Sequence, residues 1–180
     1  MLLRFFPSRL ESMGCQKQFV RNYHPAENSC PADAASLNKG VRTSALAWIA
    51  LNGVIGALYF GGIIDEGILL LISLAYSVCD MICILFFCPF QSWFMKNRCC
   101  GTCRIYNWDF AMMFTPLIFI PTFYTWSLSA MGLALMIQWE VLVRLYPERF
   151  SPEHNRALSC AMCEEKLCHY KTQIRQFIRK

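Results

Sequence analysis

Between Arg42 and Lys96 the chain carries no lysine or arginine, and this interval holds two long apolar stretches, Ala45 to Ile64 and Ile68 to Phe87. Each is twenty residues long, the length a helix needs to cross the hydrocarbon of a bilayer. The first has no charged residue and the second only Asp80. Asp65-Glu66-Gly67 separates them as an acidic tip, and Cys88-Pro89 ends the second, because proline cannot continue a helix. With 56% hydrophobic residues and a mean hydropathy of +0.33, the 180-residue chain is too apolar for an ordinary soluble domain. The expected class is all-α, an integral membrane bundle.

A further apolar region, Trp108 to Leu145, has 38 residues, too many for one helix and barely enough for two. Two are expected, Trp108 to Pro121 and Ser127 to Leu145, joined by a turn at Pro121 and Thr122. Phe123, Tyr124 and Trp126 there match an aromatic belt at the headgroup level. Asn107 and Asp109 are suited to start the third helix and Pro116 to kink it.

Charge supports four crossings arranged as two hairpins. All 17 lysines and arginines fall in the tail through Arg42, in the loop with Lys96, Arg98 and Arg104, or from Arg144 onward. Basic residues concentrate on the cytosolic side, and four helices put all three groups there. A three-helix chain would carry eight of them across the membrane. The expected organisation is an irregular cytosolic tail over 1–43, a four-helix domain over 44–146 with a cytosolic loop over 88–107, and a cytosolic segment over 147–180. The expected location is the cell (inner) membrane, with both termini cytoplasmic. The apolar start Met1 to Phe6 is interrupted by Arg4 and too short for a signal-peptide core, and Met13 is an alternative start.

Eleven cysteines are many for this length. Facing the cytosol, they would be kept reduced, so structural disulfides are not expected. The loop holds Cys88, Cys99, Cys100 and Cys103, and the C-terminal segment holds Cys160, Cys163, Cys168 and His169. Each set offers four soft or borderline ligands. Thiolates at such spacing suit zinc or an iron–sulfur cluster rather than magnesium or calcium. A buried thiol can also be a small hydrophobe, the plainer reading for Cys79 and Cys83. Cys15 and Cys30 are read as loose tail thiols.

Cys99-Cys100-Gly101 with Cys160 and Cys163 is similar to the cysteine order of the CCG domains of heterodisulfide-reductase-type proteins, which implies an iron–sulfur cluster; the intervals depart from that pattern. The segments Cys88-Pro-Phe-Gln, Asn97-Arg-Cys-Cys, Cys103-Arg-Ile-Tyr-Asn-Trp-Asp and Ala111-Met-Met-Phe-Thr-Pro resemble a family of small prokaryotic polytopic membrane proteins of uncharacterised function. That resemblance runs over residues 45 to 170 and implies no activity.

Asp80 lies inside the second span, where an ionisable group is costly and a functional candidate by default. Two readings stand: a carboxyl packed against Asn52 or Tyr76, or part of a polar step with Cys79 and Cys83, which are four residues apart on one helix face. Glu140 has Arg144 four residues on, as an ion pair would. Beyond Glu164, Leu167, Tyr170, Ile174, Phe177 and Ile178 alternate with basic residues as in an amphipathic helix drawn to anionic lipid headgroups. The net charge of +5 is dispersed, which points away from nucleic acid. No nucleophile–base signature or nucleotide fingerprint is present, so enzymatic activity stays open.

Three functions follow as expectations. The first is a cytosolic iron–sulfur or zinc centre in electron transfer or redox sensing, with a redox partner protein. The second is soft-metal transport or handling through Cys79, Cys83 and Cys88. The third is a zinc clasp in a structural membrane protein.

Overall fold

The computed structural model describes residues 1–6, 23–26, 40–86, 88–95, 103–151 and 153–158, and no strand longer than a single bridge occurs among them. Helix α1 spans Val41–Phe60, four residues ahead of the expected start. It begins at Gly40, whose φ of 79° is left-handed, and whose Cβ, were there one, would lie 2.2 Å from the Phe94 carbonyl oxygen. It stops at Phe60 because Gly61 and Gly62 turn the chain, the latter with φ 71°. Asp65 opens helix α2 (Glu66–Leu85), its carboxylate accepting from the Ile68 N–H at 2.9 Å.

The expected third span is broken into pieces. A 3-10 turn at Tyr106–Trp108 leads into α3 (Asp109–Phe114), and a second 3-10 segment, Thr115–Phe119, follows. Pro116 has no N–H to give the turn before it, so the α-helix tightens there rather than bending and continuing. Asn107 and Asp109 do start this region, without a side-chain cap on α3. Helix α4 (Phe123–Leu145) begins four residues before the expected Ser127, because Thr122 and Thr125 form a reciprocal cap. Among the described residues, α1, α2 and α4 are the helices long and apolar enough to cross a membrane.

The broken segment is nonetheless the hub of the packing. Leu117 and Ile120 sit between Ile55 of α1 and Leu69 of α2 in one buried cluster. Between helices in lipid such a cluster is held by dispersion and close fit rather than by exclusion of water. The contacts of α4 run back along the broken segment: Thr125 meets Ile120, Ser129 meets Phe114, and Gly132 abuts Phe110. A Cβ on Gly132 would lie 3.1 Å from the Phe110 backbone, so glycine sets how closely the two elements approach.

Carbonyls left over by the irregular helix find donors on its neighbours. Ser73 donates to Met113 O at 2.8 Å, Ser129 to Phe114 O at 3.2 Å, Trp126 to Ile118 O at 3.2 Å and the Thr125 hydroxyl to Ile120 O at 2.6 Å. Irregular backbone that is buried needs such partners from the surrounding protein.

At the far end of α4, the chain folds back over Trp139, whose ring meets Phe150 edge-on at 6.1 Å. Arg149 is buried there beside the rings of Tyr146 and Phe150, and burial lowers its pKa while Glu148 and Tyr146 oppose the shift. Asn155, fully buried, receives the N-terminal segment: Pro25 and Asn155 form an antiparallel bridge, and Arg156 N–H donates to His24 O at 2.8 Å. The Arg4 region returns to the same end. Its guanidinium pairs with Asp109 at 2.5 Å, and Gln138 of α4 donates to Phe5 O.

Candidate functional site

One face of α2 carries Tyr76, Cys79, Asp80, Cys83 and Ile84, the spacing of a stripe along a helix. This stripe lines a cavity of about 120 Å³, shared with Cys88, Cys103, Asp109, Met112 and Met113 and roofed by Trp48 and Phe90.

Each wall has a local cause. Trp48 is fixed by its indole N–H, which donates to Thr115 Oγ1 at 3.2 Å, and by its ring against Tyr76 at 4.6 Å. Cys88 follows the end of α2 and precedes the π-helical turn Phe90–Phe94, whose Ser92 N–H holds the Cys88 carbonyl at 3.0 Å. Cys103 is buried with Val41 and Ile105. Asp109 stands at the first turn of α3, and Met112 and Met113 are one turn further on the same face.

Thus the structure gathers five of the expected residues, Cys79, Asp80, Cys83, Cys88 and Cys103, around one cavity. The four cysteines are thiols, Cys79 exposed, Cys103 buried, and the other two half-buried. Cys83 and Cys88 share a hydrogen bond. Asp80 lies within electrostatic reach of Asp109 and Arg4. Cys99, Cys100, Cys160, Cys163, Cys168 and His169 lie outside the described residues, as does the expected C-terminal amphipathic helix. Among the described residues, no three of His, Cys, Asp and Glu come close enough together to hold a metal ion.

Of the two readings of Asp80, the one with Cys79 and Cys83 shares its cavity, and so does Tyr76; Asn52 instead donates to Trp48 O at 3.0 Å. The expected pairing of Glu140 with Arg144 is replaced. Glu140 takes Arg104 in two parallel bonds and the Trp108 indole N–H at 2.9 Å. Arg104 wins because its planar fork meets a carboxylate end-on from the facing segment.

Met112, Met113, Asp109 and Arg4 were not singled out as site residues by the sequence. The signal was present for three of them, since Asp109, Met112 and Met113 repeat at helical spacing. Nothing local marks Arg4, which arrives from 105 residues away.

By length and composition of its helices, the chain falls in the class of helical membrane proteins. No protein-family model, curated protein or solved structure matches it.

Proposed function

We propose that this is a four-crossing membrane protein that binds and handles a soft metal ion in the thiol-lined cavity at the loop end of α2. The observation that carries the reading is the convergence of Cys79, Cys83, Cys88 and Cys103 with the thioether residues Met112 and Met113 on one small cavity. Thiolate and thioether sulfur select soft ions, whereas magnesium and calcium seek oxygen. Asp80 and Asp109 add negative charge beside the sulfurs, which attracts a cation to the cavity.

Four crossings, counting the broken Tyr106–Phe119 segment as the third, are supported by the contact of the two ends. Pro25 bridges Asn155, the contact expected if the segments before α1 and after α4 share a side with an even number of passes between them. The excess of basic residues in those segments favours the cytosolic side.

The test is metal analysis of the detergent-purified, reduced chain after exposure to copper(I), silver(I), zinc(II) and iron with sulfide. Tight retention of copper(I) or silver(I), weakened in Cys79→Ser and Cys83→Ser, is the expected result. Iron with acid-labile sulfide would instead establish the second reading, a cluster in electron transfer or redox sensing. One observation favours that alternative: Cys88 and Cys103, the outer members of the loop's cysteine set, line the same cavity.

A further inference from the structure

We propose that Cys83 and Cys88 together form a two-thiolate site for a soft monovalent cation of the copper(I) or silver(I) kind. The inference rests on the soft-metal reading above and names its ligands.

The two sulfurs are brought together by how α2 ends. The last turn is still intact at Phe86, whose N–H bonds Ile82 O at 2.8 Å, but Phe86 itself leaves the helical region with φ −120° and ψ −73°. Cys88 precedes Pro89 and the Phe90–Phe94 turn, lines the same cavity as Cys83 and hydrogen-bonds it. A pair of thiols in contact, half-covered by protein and opening on a cavity, is already arranged to grip one ion from two sides.

Charge and ligand number favour a monovalent ion. Structural zinc takes four ligands in a tetrahedron, more than this pair supplies. Two thiolates alone satisfy a linear copper(I) or silver(I) centre. Binding converts two thiols and one cation into a bis-thiolate complex of charge −1, with two protons released and no change in oxidation state. The Arg4 guanidinium, paired with Asp109 and within reach of Asp80, offsets the extra negative charge. Met112 and Met113 supply soft neighbours on the opposite wall.

The experiment is a competition titration of the full-length, reduced protein in detergent with copper(I) against a chromophoric chelator, comparing the wild type with Cys83→Ser, Cys88→Ser and Cys79→Ser. The wild type is expected to bind a first equivalent tightly. Both Cys83→Ser and Cys88→Ser should lose that equivalent by more than the roughly 10- to 100-fold that loss of an outer-shell partner costs, and Cys79→Ser by less. X-ray absorption of the singly loaded wild type should show two sulfur neighbours at copper. If a serine variant fails to fold, Cys83→Met and Cys88→Met carry the test: each keeps a soft sulfur and should bind more weakly than wild type yet measurably. A first equivalent that survives all the Cys83 and Cys88 substitutions would overturn the pair as ligands while leaving the soft-metal function standing. A wild type that binds neither copper(I) nor silver(I) would remove both.

Discussion

Arg104 and Glu140 meet across 36 residues of sequence through two parallel hydrogen bonds of 2.5 and 2.7 Å, and the Trp108 indole completes the carboxylate's shell. The pair joins the segment entering α3 to the last third of α4, and the Arg104 side chain is only 6% exposed. Removing one member leaves a charge with little water to replace its partner. Arg104→Ala or Glu140→Ala is therefore expected to cost roughly 3–5 kcal/mol, whereas the double replacement Arg104→Met with Glu140→Leu costs much less. Thermal unfolding in detergent, followed by circular dichroism, measures the difference.

Gly132 and Gly53 make a matched pair of opposite prediction. A side chain at Gly132 meets the Phe110 backbone, while one at Gly53 meets nothing within 4 Å. Gly132→Val should push α4 off α3 and destabilise by about 1–3 kcal/mol. Gly53→Ala should be neutral or stabilise by about 0.5–1 kcal/mol through helix propensity. The same unfolding measurement reads both.

Thr125 serves two ends at once, receiving the α4 cap and closing the Ile120 carbonyl. Thr125→Val keeps the shape and removes the hydroxyl. The expected loss is about 1–2 kcal/mol, accompanied by faster hydrogen exchange at the amides of Thr125 and Trp126.

Topology gives a prediction independent of metal. Reporter tags fused at residue 1 and residue 180 should both read cytosolic, and a tag inserted at Gly62 should read the opposite side. Opposite readings from the two ends would show that the Tyr106–Phe119 segment does not cross.

Much of this architecture is written in the sequence. The break at Asp65 and the apolar lengths of α1 and α2 follow from local chemistry, and helix ends moved by only a few residues where Gly40, Gly61 and Thr122 set the boundaries. The third segment was legible as short, and Pro116 as its point of disturbance, but the expected kink is a change to 3-10 structure. The segment's role as the hub was not legible, because that depends on hydroxyls of Ser73, Thr125 and Ser129 reaching its carbonyls from other helices. In the site, the Cys79–Cys83 stripe was readable from periodicity. Its union with Cys103 and Asp109 depends on the third dimension, as does the choice of Arg104 over the nearer Arg144 by Glu140.

The bridge between Pro25 and Asn155 also orders events during folding. His24 and Asn155 are 131 residues apart, so the His24–Pro25 segment has no mate until nearly the whole chain has been made. Loop entropy grows only slowly with length, and the intervening helices shorten the effective loop once they are in place. The clasp is therefore expected to close late, and under native-state hydrogen exchange to open before the hub formed by Leu69, Leu117 and Ile120.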